Sequence, residues 1–189
     1  MKAICIIGSP NENGNTAFIV DKIIQGMSAN NIDIKRYVLG SMNINYCKGC
    51  KSCYETRHCV QQDDMELILK EMSESDVVLI ASPSYWGNVT GQLKVFFDRC
   101  TPWCDTLDGG TTMPKGKIGI SIAIRAGQSE KENQHIIHEI EHYFSHLGIK
   151  PVNSLTIEGI LHKADFEVNP KKLHDAHDLG LSVIDLCPN

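Results

Sequence analysis

The chain has 189 residues, of which 42% are hydrophobic and 22% are charged. This length and composition predict one globular domain with a buried core, and they exclude a disordered or collagen-like chain. A net charge of −5 argues against a nucleic-acid-binding protein, which needs clustered Lys and Arg. No apolar run approaches the roughly 20 residues of a membrane span, and the first apolar segment does not resemble a signal peptide. We therefore expect a soluble, cytoplasmic protein.

Short aliphatic runs alternate along the chain with segments that have the three- and four-residue spacing of amphipathic helices. The aliphatic runs predict five strands, at residues 2–8, 32–39, 76–81, 117–124 and 150–157. The amphipathic segments predict helices at residues 16–29, 63–75, 92–99, 131–147 and 171–186, the fourth ended by Gly148 as a C-cap residue. Residues 158–170 are interpreted only as a connection. The alternation predicts a doubly wound, parallel α/β sheet in which the aliphatic third strand is central.

Three loops are predicted at the carboxyl ends of the strands, where such sheets bind ligands: residues 9–16, 82–91 and 125–130. The first loop is polar and leads into a helix, so its backbone N–H groups can cradle a phosphate together with the hydroxyls of Ser9 and Thr16. It has neither the Lys of a Walker A loop nor a G-x-G-x-x-G fingerprint, which disfavours ATP and a classical dinucleotide. A capped helix after a flexible turn remains the alternative.

The second loop places Tyr85 and Trp86 beside small residues just after a buried strand. Such an aromatic pair can flank a planar ring, whereas the alternative is that it seals the sheet or a subunit contact. The third loop, which includes Arg125 and Gly127, can add hydrogen-bond donors to the same pocket.

The chain resembles the flavodoxin-like, NAD(P)H-dependent FMN reductases over residues 2 to about 150. The resemblance rests on these loops and on two stretches, Ser82-Pro83-x-Tyr85 and Leu93-Lys94-x-Phe96-x-Asp98-Arg99. The resemblance implies strand order 2-1-3-4-5 and bound FMN. It assigns the FMN phosphate to Ser9, Asn11, Asn15 and Thr16. It assigns the flavin ring to Pro83, Tyr85, Trp86, Gly87 and Asn88, and Gly127 joins this cofactor-binding set from the third loop.

Four of the eight cysteines form a compact C-x2-C-x2-C-x5-C motif: Cys47, Cys50, Cys53 and Cys59. Two-residue gaps allow one loop to grip three corners of a 4Fe-4S cluster, while the fourth thiolate returns from further along. Structural zinc sites more often use two separated C-x2-C pairs. Lys48, Lys51 and Arg57 would offset the negative charge of the thiolates.

This motif narrows the resemblance to the iron-sulfur flavoproteins, and by that resemblance the four cysteines are the cluster ligands. The function it implies is electron transfer from a one-electron donor such as ferredoxin, through the cluster and FMN, to an acceptor, in a homodimer or homotetramer. An NAD(P)H-dependent FMN or quinone reductase without a cluster is the alternative. A small flavin- or zinc-bearing binding module with a regulatory redox role is a third hypothesis. No acid or base catalyst is assigned.

The remaining motifs are interpreted as structural. The other four cysteines, Cys5, Cys100, Cys104 and Cys187, are expected to be packing or surface thiols, and the alternative for Cys100 and Cys104, which flank Trp103, is a reactive pair. His135, His138, His142 and His146 fall on one helix face and could bind a metal, but a solvated or subunit-facing surface is favoured because no H-E-x-x-H arrangement accompanies them.

Overall fold

A computed structural model of the protein describes residues 1–187. Five strands form one sheet: β1 (Lys2–Ile7), β2 (Asp33–Val38), β3 (Val77–Pro83), β4 (Ile118–Ile124) and β5 (Lys150–Ile157). Their order is β2-β1-β3-β4-β5, and all four pairings are parallel. This is the predicted doubly wound, flavodoxin-like sheet, and β3 lies at its centre as expected.

Within residues 1–187, seven α-helices connect or flank these strands: α1 (Asn15–Ala29), α2 (Ser52–Thr56), α3 (Met65–Glu74), α4 (Gly91–Arg99), α5 (Glu130–His146), α6 (Asp165–Val168) and α7 (Lys171–Leu186). Gly148 follows α5 at φ +66°, as a C-cap glycine does. None of the helices within residues 1–187 combines the length and apolar character that a membrane-spanning segment needs.

Two short helices were not predicted. One is α2, inside the cysteine loop. The other is α6, which shows that residues 158–170 are more than a connection. Each has five residues or fewer and therefore carries no periodic apolar signal. Local hydrogen bonding stabilises α6 instead, because the Asp165 carboxylate accepts the N–H groups of Leu161 and His162, both at 2.8 Å.

The core has two layers because neighbouring residues of a strand point to opposite faces of the sheet. Strand β1 directs Ala3, Cys5 and Ile7 toward the face covered by α1 and α7. It directs Ile4 and Ile6 toward the face covered by α3, α4 and α5. The inner strands are buried on both faces, which explains their continuous aliphatic sequence.

Helices α1 and α7 pack closely through two glycines. A Cβ on Gly26 would lie 2.2 Å from the carbonyl oxygen of His177, and a Cβ on Gly180 would lie 2.1 Å from that of Ile23. Real Cβ atoms do not approach backbone this closely, so any larger residue would push the helices apart.

We expect Gly180→Ala to destabilise the protein by about 1–3 kcal/mol, the usual cost of overpacking. The thermal midpoint should fall by roughly 2–12 °C, measured by circular dichroism. Gly91→Ala is the matched control, since a Cβ there meets nothing within 4 Å. Equal midpoints for the two variants would contradict this explanation of the helix contact.

Candidate functional site

Loops from four strands meet at the carboxyl edge of the sheet. The Thr90 hydroxyl donates to the carbonyl of Gly8 at 2.5 Å and accepts the N–H of Leu93 at 3.2 Å. Thr90 thus caps α4 and ties the loop after β3 to the loop after β1. The N–H of Gly159 donates to the carbonyl of Gly127 at 2.9 Å, which joins the loop after β4 to the segment after β5. The N–H of Ser84 donates to the carbonyl of Ile124 at 2.7 Å, so the loop after β3 also adjoins the end of β4 and the three predicted loops are neighbours.

The loop after β1 leaves the first turn of α1 without a side-chain cap. Ser9 is buried, and its hydroxyl accepts the N–H of Asn11 at 3.1 Å. The side-chain oxygen of Asn11 accepts the N–H of Asn13 at 3.0 Å. Gly14 occupies the N-cap position and provides no capping side chain, so the helix N–H groups remain open to an anion.

The other two predicted phosphate-loop residues lie in the first turn of α1 and differ in their surroundings. Thr16 is buried at the start of the helix. The side-chain amide of Asn15 instead donates to the carbonyl of Leu161 at 3.0 Å, so it anchors the segment after β5. Its backbone N–H still belongs to the first turn.

A tight turn after β3 presents the two predicted aromatic residues. Tyr85 and Asn88 exchange backbone hydrogen bonds of 3.0 and 3.1 Å, and Trp86 and Gly87 between them have φ values of +57° and +74°. This is the pattern of a type I′ turn, in which a left-handed tryptophan costs about 1–2 kcal/mol. The Trp86 side chain is fully exposed and Tyr85 is half-exposed. Trp86 therefore does not cover the end of the sheet. Its indole is exposed to solvent beside the carboxyl end of β3.

The cysteine loop brings its four predicted ligands to one pocket. Three residues of the loop have left-handed backbone conformations, with φ near +60°: Gly49, Lys51 and Arg57. These conformations reverse the chain around α2. As a result Cys47, Cys50, Cys53 and Cys59 all line a single pocket, closed on its other side by residues of α4 and of the turn that follows it.

The thiols influence one another. Hydrogen bonds from the backbone and side chain of Ser52 lower the pKa of Cys50, and Lys48 acts in the same direction. Burial raises the pKa of Cys53, and the other three thiols of the loop raise it further. Across residues 1–187, no three His, Cys, Asp or Glu side chains stand within reach of one metal ion.

A buried arginine, Arg99, lines the cysteine pocket on the side of α4. Arg99, the last residue of α4, donates to both carboxylate oxygens of Asp63, at 2.7 and 3.0 Å, and to the carbonyl of Asn45 at 2.7 Å. Burial raises the pKa of Asp63, but the hydrogen bonds from Arg99 and Asn45 outweigh it and hold that pKa at about 2. Both side chains of this ion pair are almost wholly buried.

Arg99 also contacts the cysteine pocket directly. Burial lowers its pKa, yet the Asp63 carboxylate and the neighbouring Cys59 thiol outweigh burial and raise it. Its buried Nε–H has no hydrogen-bond acceptor among residues 1–187. The pocket of four thiols thus adjoins a buried guanidinium group with one N–H that has no acceptor within residues 1–187.

Sequence reasoning did not identify this ion pair. In the sequence, Asp63 is only the first residue of a predicted helix, and Arg99 is only part of the motif that resembles the FMN reductases. An aspartate just before one helix and an arginine at the end of the next gave no local signal that they touch. Arg57, which we expect to offset thiolate charge, donates to the carbonyls of Pro102 and Cys104 and fixes the loop to the segment after α4.

The remaining cysteines lie outside this pocket. Cys5 and Cys100 are fully buried, and burial raises the pKa of each to about 12. Cys100 contacts the Tyr143 hydroxyl at 3.0 Å. Inert, protonated thiols are what packing residues require.

Comparison with known proteins gives a consistent result. Residues 1–159 match the model of the family described as NADPH-dependent FMN reductase. An iron-sulfur flavoprotein of Archaeoglobus fulgidus is 34% identical over 187 residues, which span 97% of this chain and 79% of that protein. An iron-sulfur flavoprotein of Methanocaldococcus jannaschii is 33% identical over 144 residues, spanning 76% and 72% of the two chains.

Solved structures share the fold at low sequence identity. The NAD(P)H:quinone oxidoreductase from Methanothermobacter marburgensis superposes with a TM-score of 0.75 at 14% identity, covering 97% of this chain and 96% of that one. An FMN-dependent NADH-azoreductase from Bacillus anthracis, solved with FMN, gives a TM-score of 0.72 at 16% identity, covering 95% and 98%. Sequence and fold together show that the chain belongs to the iron-sulfur flavoprotein family, within the flavodoxin-like NADPH-dependent FMN reductases.

Proposed function

We propose that the protein is an electron-transfer flavoprotein that binds FMN at the carboxyl edge of the sheet and a 4Fe-4S cluster in the cysteine loop. The observation that carries the proposal is the convergence of Cys47, Cys50, Cys53 and Cys59 on one pocket. The cluster implied by the names of the relatives needs four thiolates, and this pocket supplies four.

The chemistry of the pocket fits a cluster. Each thiolate of a 4Fe-4S cluster binds a different iron, so the sulfur atoms stand further apart than ligands of one ion. The four cysteines line one pocket, where each would hold a separate corner of such a cluster. The buried Nε–H of Arg99 lacks an acceptor, and cluster sulfurs are acceptors. Lys48 and Lys51, which line the pocket, would offset the remaining negative charge.

The carboxyl-edge loops supply what FMN requires. The uncapped N–H groups of α1, with Ser9, Asn11, Asn15 and Thr16, would hold the phosphate. Pro83, Tyr85, Trp86, Gly87 and Asn88 would line the ring, and Gly127 would approach it from the loop after β4. The residues of this chain bind and orient the cofactors and are not assigned proton transfer.

When bound, the cluster would exchange one electron at a time and FMN one or two, so together they would connect a one-electron donor such as ferredoxin to a two-electron small-molecule acceptor. The two pockets lie at opposite ends of α4. The Tyr85–Asn88 turn precedes its first residue, and the cysteine pocket contacts its last. Nine residues of helix span about 13 Å. We therefore propose a homodimer or homotetramer in which a neighbouring subunit brings a flavin pocket closer to the cluster.

A second candidate is an NAD(P)H-dependent FMN or quinone reductase that binds no cluster. It is favoured by the descriptions of the matching family and of the M. marburgensis structure, both of which refer to a nicotinamide donor. In that case the donor would deliver hydride directly to FMN.

Metal, sulfide and flavin analysis of protein purified without oxygen separates these candidates. We expect a brown protein with one FMN, about four irons and about four acid-labile sulfides per chain, because a cubane contains four of each. A yellow, iron-free protein that oxidises NADPH would favour the reductase instead, and a colourless zinc protein would overturn both. Light scattering of the same sample should show at least a dimer. A monomer that holds both cofactors would contradict the assembly.

A further inference from the structure

Two histidines at the end of α5 form a cluster that the proposed electron transfer does not use. The Nε2 atoms of His142 and His146 are 3.2 Å apart, and Nδ1 of His146 contacts a carboxylate oxygen of Asp105 at 2.7 Å. His146 is the last residue of α5, four residues before β5 begins. The cluster therefore lies at the amino edge of the sheet, away from the loops at the carboxyl edge.

We propose that His142 and His146 bind one divalent transition-metal ion, with zinc as the expected cation. Two imidazole nitrogens at 2.0–2.1 Å from a tetrahedral zinc stand about 3.3 Å apart. The Nε2 atoms already have nearly this separation, at 3.2 Å. Imidazole ligands suit zinc, copper and nickel rather than magnesium or calcium.

Asp105 prepares His146 for this role. A carboxylate that accepts the Nδ1–H of a histidine fixes its tautomer, so the lone pair is on Nε2. In the metal-free protein the Nε2–H of His142 then donates to that lone pair. When a cation replaces this hydrogen bond, the proton of His142 moves to its Nδ1 and both Nε2 atoms become ligands.

The surroundings of the cluster also favour a cation. The site is at the carbonyl end of α5, where the helix dipole is negative. The backbone N–H of Asp105 donates to the carbonyl of His146 at 2.9 Å, so the loop that carries the carboxylate is fixed to the helix. Glu139 and Cys104 line the adjoining pocket. No third His, Cys, Asp or Glu side chain of residues 1–187 reaches coordinating distance, and water therefore completes the shell.

The other two histidines of the helix do not share the site. His135 is 3.9 Å from Glu139, and His138 has no part in the His142–His146 contact. From the sequence, all four histidines share one helix face, and a solvated or subunit-facing surface is favoured over a metal site. The sequence did not indicate Asp105, which is 41 residues from His146.

Isothermal titration of Zn²⁺ into the anaerobic, cofactor-loaded protein tests the proposal. We expect one zinc equivalent per chain that disappears in His142→Ala and in His146→Ala. Asp105→Asn should weaken the affinity 10- to 100-fold, the usual effect of removing a partner of a metal-bound histidine. His138→Ala, on the same helix, is the matched control and should bind as the unmodified protein does.

Three outcomes would overturn the proposal: no zinc uptake by the unmodified protein, equal uptake by His142→Ala, or unchanged affinity in Asp105→Asn. The result is independent of the proposed function. If the cysteine loop held no cluster, it would bind a further zinc equivalent, and that equivalent would persist in the histidine variants but vanish in Cys53→Ala. The thermal midpoint of each variant without zinc shows whether it is folded.

Discussion

Cys53→Ala is expected to abolish iron binding while the protein keeps its FMN. Cys53 is the middle residue of the motif, and its half-buried thiol lies among the other three. Removing one of four thiolates exposes one iron corner, and no spare cysteine lines the pocket to replace it. The loops proposed to bind FMN share no residue with the cysteine pocket, so flavin content should be unchanged.

The measurement is iron, sulfide and FMN content after anaerobic purification, together with the rate of reduction by a one-electron donor. We expect iron to fall from about four per chain to background. Reduction by ferredoxin should be lost, whereas reduction by dithionite or another small molecule that reaches FMN directly should persist. Cys104→Ala, which alters a half-buried cysteine outside the pocket, is the matched control and should retain iron. Unchanged iron in Cys53→Ala would refute the ligand assignment.

Arg99→Met is expected to be the most destabilising single change, at about 3–5 kcal/mol, because it leaves the Asp63 carboxylate buried without its partner. The side chains of Arg99 and Asp63 are 1% and 0% exposed, so water cannot replace the lost hydrogen bonds. The thermal midpoint should fall by roughly 6–20 °C for a chain of this size. Iron retention should also fall, because Arg99 lines the cysteine pocket.

A matched control comes from the exposed ion pair between Arg36 and Asp21, whose side chains are 32% and 46% exposed. Arg36→Met should cost less than about 1 kcal/mol. Arg99→Lys should lie between the two, since lysine keeps the charge but not the two-pronged geometry. The double variant Asp63→Leu with Arg99→Met should recover much of the stability, because it also removes the carboxylate that Arg99→Met leaves buried without its partner. Equal losses for Arg99→Met and Arg36→Met would contradict the importance of burial.

Much of the fold could be predicted from local patterns. All five of the longer helices and all five strands were predicted with boundaries within two residues of those observed, because aliphatic runs and helical spacing are properties of contiguous segments. The short helices α2 and α6 could not be, since a helix of one turn has no period. Their conformations depend on hydrogen bonds such as those of Asp165.

The candidate site shows the same division. The cysteine motif and the loop proposed to hold a phosphate could be picked out because the residues of each are close in sequence. The uncapped first turn of α1, by contrast, depends on how Ser9 and Asn11 hydrogen-bond among themselves. The left-handed conformation of Trp86 depends on the backbone pairing between Tyr85 and Asn88. Neither follows from residue types alone.

The sequence by itself therefore determined the α/β alternation, the order of the strands through its resemblance to a family, and the set of four clustered cysteines. Only the tertiary structure decided that Arg99 meets Asp63, 36 residues away, beside those cysteines. It alone also decided that His146 meets Asp105. The physical reason is that local patterns specify which face of an element is apolar. The packing of helices and strands against one another decides which polar side chains meet. Packing brings together residues that are far apart in the sequence and share no local pattern.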